Sequence, residues 1–409
     1  MTATGMRVGI HDLAFATTHQ VLDLRTLAEH QGIDVNKYYI GIGQTEMSVP
    51  CADEDIVTMG AEAAAQIVAR LRAEQQAEDG QAFDGIRTLL FATESGVDQS
   101  KSAGVFVHSL LGLGEHCRVV ELKQACYSAT AALQFALGIV ARDESEKVLV
   151  IASDVARYAL DSSGEPTQGA AAVAFLVTAD PALIEIEPVS GLHTDDIDDF
   201  WRPNHLSTAL VDGKYSLAAY LRALEGAWTE YRSRGGVDFE AIDRFCYHQP
   251  FTKMAVKAHD KLSALVGSPL DKDQRRAQVA ASLELNRRTG NSYTASIYVG
   301  LLSLLERDDA DLAGRRIGFF SYGSGSVSEF FTGVVRPGYR DVLRTAADER
   351  ALDDRTAIDH ARYRALHEGI DAAQGSDYET AAETPGPFRF AGVSAQVRRY
   401  ARTAGGSPA

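Results

Sequence analysis

The chain has 409 residues, 45% hydrophobic and 23% charged, ordinary proportions for a globular protein long enough to bury a large core. Its 40 basic residues are outnumbered by 56 acidic ones, and a net charge of -16 argues against a nucleic-acid or anionic-membrane partner. No apolar run approaches the roughly 20 residues needed to cross a bilayer, and the start, MTATGMRVGIHDLAF, lacks a signal-peptide pattern, so a cytoplasmic location is expected.

Short apolar runs predict strands over residues 7–10, 86–92, 118–122, 147–152, 171–177 and 316–321. Helical periodicity lies between them, over 55–72, 127–141, 217–231 and 292–305. This alternation implies an α/β architecture with helices covering sheets. Two strand–turn–helix units, RVVELKQACYSATAAL and DRFCYHQPFTKMAV, each place a reactive type of residue at the turn. They suggest two related halves, 1–180 and 181–409, joined near the DPAL turn at 180–183. HTDDIDDF (193–200) reads as a surface loop and GSGS around Ser324 as a tight turn. Residues 345–384, rich in Asp, Glu, Ala and Arg, read as solvated helix and loop, and the final RTAGGSPA as a frayed tail.

The four cysteines, Cys51, Cys117, Cys126 and Cys246, form no CxxC pair and show no metal-ligand spacing, so neither a disulfide framework nor a metal site is expected. Cys126 ends an apolar strand and opens a small-residue helix. Unpaired N–H groups and the helix dipole there favour a thiolate and could hold an oxyanion; the plain alternative is a buried structural cysteine. His248 ends another short strand before Pro250, either at a site on the sheet edge or as an ordinary hydrogen-bonded histidine. Lys253 and Lys257 follow at i, i+4 on one helix face, which could meet a phosphate or simply solvent. Glu94 closes TLLFATE, where a dry setting would raise its pKa and suit it to act as a base, although such glutamates are often merely exposed. Asn291 in RTGNSYTAS and Ser324 in SYGSGS stand at turns where they could polarise a carbonyl, or serve as a cap and a hairpin turn.

The segments ATESGVDQSKSAGVFVHSLLG and ELKQACYSATAALQFA resemble 3-hydroxy-3-methylglutaryl-CoA synthases, especially the bacterial mevalonate-pathway form, within the thiolase superfamily. Further matches follow in order: IGIGQTEMSVP, SDVARYALDSSGEPTQGAAAVAFLV, DDFWRPN, VDGKYS, YHQPFTKM, TGNSYTAS, FFSYGSGSVSEFF and FAGV, spanning about residues 7–399. The resemblance implies a thiolase-like layered αβαβα fold of two similar halves, no metal or organic cofactor, and a homodimer. It implies an acyltransferase joining acetyl-CoA to acetoacetyl-CoA through an acetyl–cysteine intermediate.

By position, the resemblance makes Cys126 the nucleophile, Glu94 the general acid/base and His248 the residue that polarises the second substrate. Asn291 anchors that substrate, and the backbone at Gly323 and Ser324 completes an oxyanion hole with Cys126. Tyr158 and Phe200 match positions lining the acyl pocket, Asp199 an acidic position beside it, and Lys253 and Lys257 basic positions near the CoA entrance. Departures are small: Gln124 and Gln249 occupy variable positions, and EPTQGAAAV carries an alanine where glycine is common. A ketoacyl-synthase-III-like enzyme does not fit the glutamate of ATES. A polyketide β-branching synthase using carrier-bound substrates shares the same catalytic set. A non-catalytic scaffold would have lost Cys126, Glu94 or His248, and all three are present.

Overall fold

Nine strands of the chain join in one sheet. They are β1 (Val8–Thr17), β2 (Ile86–Ala92), β3 (Arg118–Leu122), β4 (Lys147–Ala156), β5 (Gly169–Ala179), β6 (Ile184–Thr194), β7 (Arg244–Tyr247), β8 (Arg316–Gly323) and β9 (Val327–Val335). The computed structural model describes residues 6–79, 85–372 and 376–403. The expected tail therefore falls, from residue 404 onward, outside the described residues.

Across the sheet the order is β7-β8-β9-β6-β1-β5-β4-β2-β3. The first five strands in sequence lie as β3-β2-β4-β5-β1, and the last four as β7-β8-β9-β6. These are the same arrangement once β6 is matched to β1, β7 to β2, β8 to β4 and β9 to β5, with no partner for β3. Orientation repeats too: β2 and β4 are parallel, as are β7 and β8, and the next two pairings in each half are antiparallel. Where a tenth strand would lie, the Phe245 N–H instead donates to the Gln278 carbonyl. The halves join edge to edge where β1 meets β6, at Gly9–Glu185 and Ile10–Ile184.

Side-chain alternation sorts the residues into layers. On β4, Leu149 and Ile151 face α1 (Ile56–Asp79) and α2 (Ala103–Leu111), while Val148, Val150 and Ala152 face the opposite way. That second face meets two central helices, α3 (Ser128–Arg142) and α6 (Ser296–Arg307), which also receive Cys246, Phe319 and Phe331 from the other half. The outer face of the second half, with Phe245, Tyr247, Phe320 and Phe330, is covered by α4 (Gly213–Ser233) and α5 (Lys253–Leu265). The layers therefore run α-β-α-β-α. Strands buried on both faces read as continuous apolar runs, which is why β2 occurs as expected from sequence; β3 also lies where it was expected, although it is a part-exposed edge strand.

Two strands carry no such run. β6, IEIEPVSGLHT, mixes charge, Pro188 and Gly191, and β9, VSEFFTGVV, buries Glu329. The Glu329 carboxylate is satisfied by the Tyr127 hydroxyl and the Gln134 amide, both at 2.8 Å. Such pairing is a tertiary compensation invisible in a local pattern.

Residues 345–384 are more than solvated helix and loop. Helices Thr345–Asp353 and α7 (His360–Ala372) bury Leu352 and Tyr363, and Thr356–Ala357 adds a strand beside Gln20–Asp23. Buried Asp12 on β1 pairs with Arg344 at 2.7 Å and with Arg70 of α1 at 3.2 Å. Buried Asp53 accepts from the Glu383 and Thr384 N–H groups and from Arg389. Charges flanking this segment, and backbone N–H groups at its end, thus fasten it to the first half.

Two glycines test the layering. A Cβ on Gly191 of β6 would lie 2.1 Å from the Tyr231 nitrogen and 2.2 Å from the Ala227 carbonyl, both backbone of α4. Gly191→Ala should lower stability by about 2–3 kcal/mol, read by denaturant unfolding. A Cβ on Gly138, inside α3, would meet nothing within 4 Å, so Gly138→Ala should raise stability by about 0.5–1 kcal/mol.

Candidate active site

Repetition of the fold brings equivalent strand ends together. In the first half, the parallel strands β3, β2 and β4 run to one edge and deliver Cys126, Glu94 and Asp154. In the second half, β7 and β8 deliver His248 and the turn at Gly323 and Ser324. Cys126 precedes central helix α3 as Asn291 precedes central helix α6. Carboxyl ends of parallel strands are where open α/β sheets bind ligands.

The site centres on the contact between Cys126 and Glu94: Sγ donates to Oε1 at 3.1 Å. Both groups are buried. Burial, and then the charge of Asp154, push the Glu94 carboxyl up to about 8, against the opposing effects of the thiol hydrogen bond and Arg202. Burial, and then Glu94, push the Cys126 thiol well above its ordinary range. The sequence setting favoured a thiolate. The helix start is where it was expected, but desolvation and a neighbouring carboxylate outweigh it, so the resting site holds a thiol beside a carboxyl group.

Asp154 fixes this pair from behind. Its Oδ1 accepts from Thr93 Oγ1 at 2.7 Å, the Glu94 N–H at 2.9 Å, and the Ser95 N–H and hydroxyl at 3.0 and 2.7 Å. Its Oδ2 accepts from the Thr294 N–H at 3.1 Å and hydroxyl at 2.5 Å. One buried carboxylate thereby ties the Glu94 turn of the first half to the Asn291 loop of the second. Asp154 was not singled out from the sequence, though it ends an apolar strand in IASD much as Glu94 ends FATE.

His248 is buried, and burial lowers its imidazole to about 3, so the ring is neutral. Nδ1 lies 2.6 Å from Ser296 Oγ, which also accepts the Gln249 N–H at 3.2 Å. With that N–H filling an acceptor position, the Ser296 hydroxyl is free to donate to Nδ1, which leaves the proton on Nε2. No hydrogen bond links His248 to Cys126 or Glu94 among the described residues. Tyr220 lies beside the ring, its own ring 6.4 Å from that of His248 and its hydroxyl on the His248 carbonyl.

Asn291 is buried, with Oδ1 accepting the Tyr293 N–H at 2.9 Å and Nδ2 donating to the Tyr158 hydroxyl at 3.4 Å. Its amide keeps one further N–H to give. Tyr158, Phe200 and Tyr293 enclose Cys126 edge to face, with ring centroids 5.9–6.4 Å apart. Tyr293, missed from the sequence, stands at φ +45, a strained left-handed backbone for a non-glycine residue.

The Gly323 turn packs directly on the cysteine loop. A Cβ on Gly323 would lie 2.4 Å from the Gln124 carbonyl, and Gln124 Nε2 donates to the Ser324 carbonyl at 3.3 Å. Asp199 was expected beside the acyl pocket on a surface loop. It is fully buried, and its carboxylate accepts from the Gly325 N–H at 2.9 Å, Tyr322 at 2.8 Å and Ser216 at 3.1 Å. These contacts hold the turn that follows Ser324.

A cleft of about 1890 Å³ opens on the Glu94 side, lined by Glu94, Ala125, Phe200, Arg202 and Ser324, with Lys101, Arg157 and Arg398 among its cations. Lys253 and Lys257 do not line it. Lys253 Nζ donates to the Ile40 carbonyl at 3.0 Å, and Lys257 sits 5.2 Å from the Phe251 ring centre.

The raised Glu94 carboxyl has a measurable cost. Between about pH 4.5 and 8 the folded protein holds this proton while the unfolded chain has released it, so stability falls as pH rises through that window. Glu94→Gln cannot ionise. Its advantage over the wild type in thermal unfolding should grow across the window to on the order of 5 kcal/mol and level off above it. A constant difference from pH 5 to 8.5 would contradict the raised carboxyl.

The hydroxymethylglutaryl-coenzyme A synthase N-terminal family model matches residues 5–182, and the C-terminal model matches 184–265 and 266–383. A hydroxymethylglutaryl-CoA synthase of Enterococcus faecalis is 39% identical over 97% of this chain and 100% of its own. A polyketide biosynthesis 3-hydroxy-3-methylglutaryl-ACP synthase of Bacillus subtilis is 33% identical over 85% of each. A crystal structure of an HMG-CoA synthase complexed with CoA superposes with a TM-score of 0.88 at 36% identity, over 97% of this chain and 100% of that one. With both family models matched in order and the thiolase-like layers in place, the chain belongs to the hydroxymethylglutaryl-CoA synthase family of condensing acyltransferases.

Proposed function

We propose that Cys126, Glu94 and His248 divide the work of joining acetyl-CoA to acetoacetyl-CoA. The observation that carries this reading is the 3.1 Å contact between the Cys126 thiol and the Glu94 carboxyl, both buried. Cys126 sulfur attacks the acetyl thioester, its carbon–sulfur bond to CoA breaks, and the thiol proton passes by way of Glu94 to the departing CoA sulfur. A carboxyl held near 8 has both protonation states within reach at neutral pH. As carboxylate, Glu94 takes a proton from the acetyl methyl group, and backbone N–H groups at Cys126 and Ser324 hold the enolate oxygen. The enolate carbon attacks the acetoacetyl ketone, while the neutral His248 donates from Nε2 to the forming alkoxide and Asn291 lends its remaining amide N–H. The alkoxide ends as a hydroxyl on gaining the proton from Glu94. Water then cleaves the product from Cys126, giving HMG-CoA, with one CoA released overall. Tyr158 and Phe200 shape the acetyl pocket.

The reading extends to a homodimer in the cytoplasm, built on halves 1–180 and 181–409. Edge strand β3, with Val120 exposed, supports the first, and four free cysteines support a reducing compartment.

Acetyl-CoA alone should place one hydroxylamine-sensitive acetyl group on Cys126, seen by intact mass and peptide mapping. Acetylation at Cys51, Cys117 or Cys246 instead would remove the nucleophile assignment. Glu94→Gln should still form the acetyl-enzyme but lose at least about 10³-fold in condensation; equal loss of both half-reactions would make Glu94 structural.

Although Lys253 and Lys257 do not line the cleft on the Glu94 side, their helix starts just after the His248 turn, and donor recognition is proposed to use them there. Lys253→Ala should raise KM for acyl-CoA about tenfold, the value of one well-formed charged hydrogen bond, and leave transfer from acetyl-N-acetylcysteamine unchanged. A donor presented on an acyl carrier protein and strongly preferred over acetyl-CoA would point instead to the polyketide type.

A further inference from the structure

Arg202 takes no part in the proposed acyl transfer and condensation, yet its guanidinium donates from Nη2 to the main-chain carbonyl of Glu94. It follows the first strand of a short hairpin, Phe200–Trp201 with Leu210–Val211, whose base is fastened on both sides. The Asp212 N–H donates to the Asp199 carbonyl at 3.2 Å, and the Ala209 N–H to the Arg157 carbonyl at 3.2 Å. Asp199 in turn holds the Gly325 turn, and Phe200 walls the acetyl pocket. The guanidinium therefore reaches Glu94 from an anchored ribbon, on the side where the cleft opens.

We infer that Arg202 is a positioning residue for the condensation: it holds the Glu94 main chain and sets the carboxylate's charge balance from the cleft side, opposite Asp154. The inference rests on Glu94 being the base that removes the methyl proton. The groups facing Glu94 are few. Asp154 stands behind it with a negative charge, and the Cys126 thiol donates to it. Tyr158 and Tyr293 are near enough to feel its charge and are themselves held neutral by burial. Arg202 is the cation acting on Glu94, and its pull favours the carboxylate. Once Cys126 is acetylated its thiol proton is gone, and among the described residues Arg202 is the group left to oppose Asp154 and burial.

The experiment is single-turnover condensation from preformed acetyl-enzyme with acetoacetyl-CoA, measured across pH. Because the base must be ionised, the rate falls on the acidic side of the Glu94 titration. Arg202→Gln should move that acidic limb up by about one pH unit. The rate would drop about tenfold near pH 7 and recover to within about threefold at alkaline pH. Arg202→Met, a second neutral variant that keeps the stem, should shift it likewise, and Arg202→Lys should leave it within about 0.3 unit of wild type. An unmoved limb in the neutral variants, or an equal shift in the lysine variant, would overturn the inference. Persistent condensation by acetylated Glu94→Gln would instead defeat the assignment of Glu94 as the base. A dead Glu94→Gln with unmoved Arg202 variants would defeat the Arg202 inference alone.

Discussion

From Ser296 to Leu305, α6 is buried on every side. A helix apolar all round must lie inside the protein, and this one lies with α3 between two half-sheets. That constraint governs the rest. Because the halves repeat one strand order, placing their central helices in a shared layer also places the loops before those helices against each other. Cys126 and Asn291, far apart in the chain, become neighbours of the same aromatic enclosure through Tyr158. Packing a buried helix pair and building a two-sided site are here one act.

Desolvation then sets the chemistry. In water, a helix start and local N–H groups would pull a thiol toward its ionised form. Inside the aromatic enclosure the cost of burying charge dominates, and thiol, carboxyl and imidazole all rest neutral. The charged groups nearby are Asp154, whose carboxyl burial raises while donors on both oxygens favour the carboxylate, and Arg202 at the cleft. Neutral resting groups avoid a standing charge penalty while leaving a carboxyl able to exchange a proton near neutral pH. The same burial that prepares Glu94 as a base withdraws stability from the fold.

The seam between the halves is held by main-chain proximity as much as by side chains. Gly323 approaches the Gln124 carbonyl too closely for any Cβ, and Gly169 does the same against the Thr289 carbonyl at 2.2 Å. These contacts set the spacing across which a ligand must fit. Buried polar pairs such as Asp154 with Thr294 set the register. A site divided between two halves depends on such fixed points, because small displacements of reacting groups are costly in rate.

Local patterns along the chain were enough to place the apolar strands and helices, since strands buried on both faces and a helix buried all round leave continuous runs. They also marked Cys126, Glu94 and His248 at the ends of apolar strands, and Asn291 at a turn beside a helix start, within ordered motifs that resemble one family. Strands β6 and β9 were not legible, because Glu329 and Pro188 break the pattern and are accommodated only by partners distant in the chain. Asp199 read as a loop carboxylate in an acidic stretch; only the fold shows that its donors are Tyr322, Ser216 and the Gly325 N–H. The protonation states, the saturation of Asp154 and the reach of Arg202 to Glu94 were likewise decided by tertiary structure. A local sequence specifies which groups a turn presents, but burial and the charges facing them are set by residues that only the closed fold brings near.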